Sequence, residues 1–294
     1  MTDHVRVYEV GPRDGLQNEK ALIPTKDKIA LINLLSRAGF EKIEATSFVS
    51  PKWVPQLADA AEVMAGIDRR DGTDYSVLTP NLRGFEAALA SGANEVAVFA
   101  SASEAFSQKN INCSITESLQ RFAPVMEAAH QAGLRVRGYV SCAVDCPYSG
   151  MVDPAAVARV AGALSDMGCY EIVPSDTIGR ATPEAVQRML AVVLADIPAA
   201  RLACHFHDTG GQALANVAVA VDLGVRTFDS AVGGLGGCPY APGAKGNLST
   251  TALVTMLEQR GFHTGIDQVL LAKAEALVAS LAPQNTTTGP QHDV

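Results

Sequence analysis

The segment VRVYEVGPRDG, residues 5–15, decides between the two parallel-sheet folds that suit this chain. Its first half alternates apolar and polar residues and stops at Gly11-Pro12, which is typical of a strand followed by a turn. An open doubly wound sheet would need a glycine-rich phosphate turn, G-x-G-x-x-G, directly after this strand. The glycine spacing here is different, so the segment favours the alternative, a closed barrel.

The same order of a strand followed by a helix repeats eight times along the chain. Strands are predicted at 5–10, 42–47, 75–79, 95–100, 135–140, 170–173, 202–206 and 226–232. The helices that follow them are predicted at 25–38, 55–65, 82–90, 116–132, 154–167, 183–195, 212–223 and 248–259. No tight hairpin turn follows any of these strands, so parallel pairing through right-handed crossovers is expected. This alternation predicts a TIM (β/α)8 barrel.

One domain is predicted to take up all 294 residues, because no linker divides the chain. The barrel is expected over about 5–260, with an additional C-terminal helix at about 267–281. Residues 283–294 are polar and threonine-rich, and we expect this tail to be frayed.

Composition excludes several classes of function. A hydrophobic content of 48% with 18% charged residues is ordinary for a well-packed soluble protein. The net charge of −8 argues against binding to nucleic acid or to an anionic membrane. No apolar run reaches the roughly 18 residues that span a bilayer, and the N-terminus resembles neither a signal nor a transit peptide, so a cytoplasmic location is expected. The six cysteines contain no C-x-x-C pair, which indicates neither a disulfide framework nor a zinc knuckle.

Two histidines in the segment RLACHFHDT, residues 201–209, are candidates for a metal site. Side chains alternate along a strand, so His205 and His207 face the same way while Phe206 faces the opposite way. Two imidazoles on one rigid face, next to a turn, can hold one metal ion. The alternative is a pair of hydrogen-bonded histidines on a half-buried strand.

The ends of the other strands favour the metal site, because chemistry in a TIM barrel gathers at the C-terminal ends of its strands. Asp14 follows the first strand, and Asn247 returns from the last loop and could add a neutral oxygen. With the two histidines they suit a divalent ion in roughly octahedral geometry. A tetrahedral zinc site that uses Cys238 is the competing interpretation, and Asp14 could also be a turn-forming residue. Further polar residues at strand ends are Arg13, Glu44, Thr46, Ser47, Ser175, Asp176 and Thr177.

The segment GGLGGCPYAPGAKGN, residues 233–247, has more glycine than a structural connector needs. Such loops approach a ligand closely or move as lids. Cys238 at its centre is expected to be exposed, and a thiol over a metal site can act as a general acid or base; the alternative is an inert loop cysteine. Arg13 can stabilise an oxyanion, or it can bind a carboxylate or a thioester carbonyl. The alternative is an ion pair with Glu44, and Arg13 could form that pair and serve the substrate at the same time.

Three long segments are specific enough to compare with known families: EVGPRDGLQNE at 9–19, TSFVSPKWVPQ at 46–56 and VGGLGGCPYA at 232–241. Shorter ones are LTPNL at 78–82, NINCS at 110–114 and GYVSC at 138–142. Together these segments resemble the 3-hydroxy-3-methylglutaryl-CoA lyase family. The resemblance extends over nearly the whole chain, from residue 5 to residue 265.

The resemblance implies a metal-dependent TIM barrel that cleaves its acyl-CoA substrate to acetyl-CoA and acetoacetate, in leucine degradation and ketone-body formation. It implies Mg²⁺ or Mn²⁺ on Asp14, His205, His207 and Asn247. It implies Cys238 as the catalytic acid or base, with help from Arg13, Glu44 and Asp176, while Asp14 or His205 is a candidate base for the substrate hydroxyl. Residues expected along the substrate and CoA path are Gln17, Lys20, Ser47, Asn110 and Thr177. A homo-oligomer, in the form of a dimer, is also expected.

Three positions depart from the family pattern. Ser175 stands where glycine is usual, Phe206 where cysteine is frequent and Gly210 where tyrosine is frequent. Gly210 is expected to change the wall near the metal. The resemblance therefore specifies the type of reaction better than it specifies which acyl chain the site accepts. The alternatives are a lyase for a longer 3-hydroxy-3-alkylglutaryl-CoA, a related synthase that condenses acetyl-CoA with a 2-oxo acid, and a non-catalytic barrel that serves as a scaffold.

Overall fold

Eight parallel strands close into a ring at the centre of the computed structural model, which describes residues 3–19, 21–236 and 246–281. The barrel strands are β1 (Arg6–Glu9), β2 (Lys42–Ser47), β3 (Asp74–Leu78), β4 (Glu95–Ser101), β5 (Arg135–Ser141), β6 (Glu171–Asp176), β7 (Cys204–Phe206) and β8 (Thr227–Ser230). Each pairs with its neighbours in sequence, and β8 pairs with β1 to close the ring. The predicted TIM barrel is therefore confirmed, and the open doubly wound sheet is excluded.

Helices follow the strands and surround the ring. Within the described residues they are α1 (Thr25–Arg37), α2 (Ala60–Gly66), α3 (Leu82–Ala90), α4 (Glu104–Ile111), α5 (Ile115–Gln131), α6 (Pro154–Asp166), α7 (Pro183–Val193), α8 (Ala213–Asp222), α9 (Thr250–Gln259) and α10 (Gln268–Leu281). The additional C-terminal helix is thus confirmed as α10, which buries Leu271, Ala274 and Val278. None of the helices in the described ranges has the length and apolarity to cross a membrane. The tail at 283–294 lies outside the described residues.

Four local predictions were wrong or incomplete. The predicted helix at 55–65 is a 3₁₀ turn at Pro55–Leu57 followed by α2. The sixth strand extends to Asp176, because Ser175 and Asp176 still pair with β7. Helix α4 was not predicted, and neither was a small antiparallel hairpin that joins Asp145–Cys146 to Gly150–Met151.

The core has an apolar outer zone and a polar centre. Between the strands and the helices lie buried side chains such as Leu31, Ile32 and Leu35 of α1. Inside the ring the side chains include charged groups that are almost fully buried, among them Lys42, Glu95, Arg137, Glu171 and Asp229. Charged groups are almost never fully buried unless they are paired, so the barrel interior must supply their partners.

Candidate active site

The turn after β1 brings two charged side chains to the mouth of the barrel. Residues Gly11–Gly15 form one π-helical turn, in which the N–H groups of Asp14 and Gly15 donate to the Val10 carbonyl at 2.8 and 3.2 Å. Arg13 Nη1 donates to Asp14 Oδ1 at 2.6 Å, and Arg13 Nε and Nη2 both reach Glu44 Oε2 at 2.6 Å. The predicted ion pair between Arg13 and Glu44 is present, and Arg13 holds Asp14 at the same time.

Asp14, His205 and His207 come together as the sequence predicted. One ligand atom from each of the three lies within 4.8 Å of the other two. Asp14 Oδ2 is 3.7 Å from His207 Nε2, and the two imidazole centroids are 5.1 Å apart. His205 belongs to β7, and His207, two residues on, forms an antiparallel bridge with Asn247. The strand end therefore directs both rings toward the carboxylate.

Asn247 gives an independent test of whether these residues fit a metal ion. Its Nδ2 donates to Asp14 Oδ2 at 2.8 Å and to the Leu235 carbonyl at 3.1 Å. Its Oδ1 is buried, and no group in the described part of the chain donates to it. A buried polar atom left unpaired costs about 1–3 kcal/mol, and an amide oxygen is a good ligand for a hard cation. Two imidazoles, a carboxylate and an amide oxygen therefore fit a divalent ion.

Electrostatics keeps Asp14 ionised. Burial opposes its ionisation, but the Arg13 guanidinium and the two imidazoles outweigh burial and hold the pKa of Asp14 well below its usual range. Burial raises the pKa of Glu44 to about 7, although Arg13 acts in the opposite direction. The two carboxylates on Arg13 thus differ in proton affinity, and Asp14 is the one suited to bind a cation.

Asp176 is placed to organise a loop. It is 2% exposed, and its carboxylate accepts the N–H groups of Arg180 at 3.2 Å and Ala181 at 2.9 Å. Burial raises the pKa of Asp176 despite these bonds. The loop that it holds begins with Thr177, whose Oγ1 accepts the Cys142 N–H at 2.8 Å.

A cavity of about 170 Å³ opens beside the three ligands. The residues predicted along the substrate path that line it are Gln17, Asn110 and Thr177, and Arg13, Asp14, His205 and His207 form its charged side. Leu78, Phe99 and Phe106 give it an apolar side.

Two further residues from the sequence analysis, both in the described part of the chain, do not line this cavity. Ser47 is fully buried and does not line the cavity, although its register partner Leu78 does, and its Oγ accepts the Val49 N–H at 3.2 Å. Gly210 was expected in the wall near the metal, but it is exposed, does not line the cavity, and donates to the Gly179 carbonyl at 2.8 Å. That expectation is therefore not confirmed by the residues that line the cavity. Lys20 and Cys238 lie outside the described residues, so neither role is tested.

The start of the glycine-rich segment approaches the site closely, as predicted. Gly236 has a φ of +96°, and a Cβ on it would lie 2.7 Å from Asn247 Nδ2 and 3.2 Å from the Asp14 carbonyl oxygen. Only glycine adopts this conformation at low cost and leaves room for Asn247.

A buried charge network behind His205 was not predicted. Asp229 is the register partner of His205 on the next strand, and its Oδ2 lies 3.2 Å from His205 Nδ1. Arg137 donates to Asp229 at 2.8 and 3.1 Å and to Glu171 at 2.7 Å. Burial opposes the ionisation of Asp229, but Arg137 and His205 lower its pKa below the usual value. The signal in the sequence was a charged residue inside each of three predicted strands.

Glu9 was missed as well. Its carboxylate is fully buried and accepts the N–H groups of Gly11 at 2.8 Å and Val232 at 2.9 Å, and the Thr250 hydroxyl at 2.7 Å. It therefore ties the turn that carries Asp14 to the chain that leaves β8. A Cβ on Gly11 would lie 2.5 Å from Glu9 Oε1, so a larger residue there would displace the Glu9 carboxylate.

Comparisons with known proteins match this chain over nearly its full length. The HMGL-like family profile matches residues 4–278. A 3-hydroxy-3-isohexenylglutaryl-CoA/hydroxy-methylglutaryl-CoA lyase of Pseudomonas aeruginosa is 57% identical over 96% of this chain and 94% of its own. The HMG-CoA lyase of Brucella melitensis superposes with a TM-score of 0.95 at 59% identity, covering 96% of this chain and 99% of its own. An HMG-CoA lyase of Acenitobacter baumannii, solved in complex with coenzyme A and 3-methylmalate, has a TM-score of 0.91 at 39% identity, covering 99% of this chain and 97% of its own.

Proposed function

This chain belongs to the HMGL-like family, and we propose that it is a carbon–carbon lyase that cleaves 3-hydroxy-3-methylglutaryl-CoA to acetyl-CoA and acetoacetate with a divalent metal ion. The substrate follows from relatives that carry this activity in their names at 57–59% identity over nearly the whole chain. The observation that carries the metal dependence is the convergence of Asp14, His205 and His207 at the barrel rim, beside the buried and unpaired Asn247 Oδ1.

Mg²⁺ or Mn²⁺ is the ion proposed, because the donor set is rich in oxygen and imidazole. Asp14, His205, His207 and Asn247 would hold it. When bound, such an ion polarises the hydroxyl and carbonyl oxygens of a substrate. Zinc on Cys238 remains the competing proposal, since that thiol lies outside the described residues.

The residues of the chain supply the proton transfers. Asp14 and His205 are the two candidates from the sequence for the base that takes the proton of the tertiary hydroxyl, and His205 could take it only while its Nε2 is not bound to the ion. The resulting alkoxide becomes a ketone as the carbon–carbon bond breaks, and the electron pair leaves with the thioester fragment as an enolate. Arg13, held by Glu44, offers a fixed cation to that enolate. Protonation of its carbon, which we assign to Cys238, completes acetyl-CoA.

The remaining site residues bind and orient the substrate. Gln17, Asn110 and Thr177 lie on the cavity wall and are proposed to contact the acyl-CoA. Asp176 assists by holding the loop of Thr177 through Arg180 and Ala181. Substrate contacts of Lys20 and Ser47, assembly into a dimer and a cytoplasmic location remain predictions from the sequence.

A longer 3-alkyl substituent is a second candidate. The Pseudomonas aeruginosa relative is named for an isohexenyl as well as a methyl substrate. The apolar side of the cavity, formed by Leu78, Phe99 and Phe106, is compatible with an alkyl group. Comparing kcat/KM for the two substrates separates a methyl-specific enzyme from one with dual specificity.

The decisive experiment is a coupled assay of acetoacetate release from 3-hydroxy-3-methylglutaryl-CoA. We expect release in the presence of Mg²⁺ or Mn²⁺, loss of release with chelator, and recovery when metal is added back. Consumption of acetyl-CoA with a 2-oxo acid, and no acetoacetate, would instead indicate a condensing synthase.

A binding experiment tests the scaffold alternative. Mn²⁺ at 100 times its Kd should stabilise the folded protein by about 2.7 kcal/mol. The shift in Tm should disappear in H207A and persist in H130A, since His130 is an exposed residue of α5. Absence of any shift in the wild-type protein would support the scaffold.

A further inference from the structure

We propose that Asp229 is a positioning residue for the metal site: it fixes the tautomer of His205, so that Nε2 is the nitrogen free to bind the ion. The inference rests on the metal-dependent function proposed above. Asp229 and His205 are register partners on adjacent parallel strands, and Asp229 Oδ2 lies 3.2 Å from His205 Nδ1. Both side chains are almost fully buried.

Arg137 determines the direction of this hydrogen bond. Its Nη2 donates to Asp229 Oδ1 at 2.8 Å and its Nη1 to Oδ2 at 3.1 Å. Arginine always carries its charge and has only donors, so the bidentate pair requires an ionised, acceptor-only carboxylate. The hydrogen between Asp229 and His205 therefore belongs to the imidazole Nδ1. A neutral imidazole has one hydrogen, which leaves Nε2 with its lone pair.

The lone pair of His205 Nε2 is available to the ion that Asp14 and His207 would also bind. His205 contributes one of the three ligand atoms that lie within 4.8 Å of one another, together with Asp14 and His207. Because Nδ1 is engaged by Asp229, Nε2 is the remaining donor atom. The hydrogen bond to the second nitrogen sets which nitrogen of a histidine carries hydrogen, and such outer partners raise metal affinity by 10–100-fold in general.

The rest of the network keeps Asp229 in place. Arg137 is fully buried, and its Nε donates to Glu171 Oε2 at 2.7 Å. Its Nη1 also reaches the Tyr139 hydroxyl at 2.6 Å. Glu171 thus helps to orient Arg137 without touching His205. It provides a matched control, because its substitution disturbs the same buried network one step away from the imidazole.

The experiment compares the wild-type protein, D229N and E171Q. The tautomer of His205 is measured by NMR on metal-free protein labelled with ¹⁵N-histidine, with H205A used for assignment. The Kd for Mn²⁺ is measured by calorimetry, and the Tm of each metal-free variant reports general damage.

We expect hydrogen on Nδ1 in the wild-type protein and in E171Q, and a changed tautomer in D229N, whose amide can donate to Nδ1. The Kd for Mn²⁺ should rise by about 10–100-fold in D229N and by less than about threefold in E171Q. Equal weakening in both variants, or an unchanged tautomer and Kd in D229N, would overturn the proposal and leave a purely structural role.

Two outcomes separate this inference from the proposed function. If wild-type protein binds no Mn²⁺, the metal-dependent function fails, while the tautomer measurement still tests Asp229. If D229N does not fold, the wild-type spectrum alone remains decisive, because hydrogen on Nε2 of His205 would refute the inference.

Discussion

Replacing Glu9 with glutamine should make the stability of this protein less sensitive to pH. The Glu9 carboxylate is fully buried, and burial raises its pKa from 4.5 to about 7, while its three hydrogen-bond donors lower it only in part. Glutamine has the same shape. Its Oε1 can accept the N–H groups of Gly11 and Val232, and its amide can donate to Thr250 Oγ1. The Thr250 hydroxyl can then turn to Ser230 Oγ, 2.9 Å away.

The sign follows from the proton affinities of the folded and unfolded chains. Below about pH 4.5 both states hold the proton, so Glu9 has no effect. Between pH 4.5 and about 7 the unfolded chain releases the proton and the folded chain keeps it, so the free energy of unfolding falls as the pH rises. Above about pH 7 the free energy of unfolding falls no further on account of Glu9. At 1.36 kcal/mol per pH unit, the total decrease in the free energy of unfolding is about 3 kcal/mol.

The assay is urea unfolding of metal-free wild-type protein and E9Q at about pH 5 and pH 8. The free energy of unfolding of E9Q should exceed that of the wild-type protein by less than about 1 kcal/mol at pH 5 and by about 3 kcal/mol at pH 8. The control is E86Q, at an exposed residue of α3, which should stay within about 0.5 kcal/mol of wild type at both pH values. If E9Q were instead the less stable protein at pH 8, the three donors would be stabilising an ionised carboxylate, and the reasoning would fail.

Three further substitutions test the rim. C238A should leave Mn²⁺ binding intact but lower kcat by about 10²–10⁴-fold, as expected for loss of a proton donor; near-normal turnover would remove the thiol from the mechanism. G236A should lose at least about 1 kcal/mol of stability, because φ is +96° and the new Cβ would lie 2.7 Å from Asn247 Nδ2; an unchanged Tm would contradict this. R13K should lower kcat more than it raises KM, because one ammonium cannot reproduce the fork that Arg13 presents to Glu44; steady-state kinetics with an unchanged kcat would argue against a role in the transition state.

The fold could be predicted because each of the eight units repeats a pattern long enough to recognise. Helix α4 could not be predicted, because Phe106 and Ser107 are the only residues that it buries. Two adjacent buried residues give no helical repeat of apolar positions in the sequence. The hairpin at 145–151 has strands of two residues, which carry no alternation. Short elements of this kind depend on tertiary contacts rather than on their own sequence.

The rim of the site could be predicted for a geometric reason. The ends of parallel strands converge, and alternation places His205 and His207 on one face, so Asp14 needed only to follow another strand end of the same ring. Asp229 could not be assigned a role in the same way, because its partner is set by register across two strands. The pairing of Asp229 with His205 is visible only when the register of β7 against β8 is known.

The distribution of unpaired polar atoms distinguishes a catalytic rim from a scaffold. Inside the barrel, every nitrogen of the Arg137 side chain and both oxygens of Asp229 have partners. In the described part of the chain, Glu44 Oε1, Thr46 Oγ1 and Asn247 Oδ1 are buried without one at the rim, and Asn216 Oδ1 of α8 is buried without one elsewhere. More than about 90% of buried polar groups in proteins are paired, so a concentration of unpaired oxygens in one place is costly. A scaffold would gain stability by replacing them, whereas a site that binds a cation and an oxygen-rich substrate needs them, and this favours the enzyme.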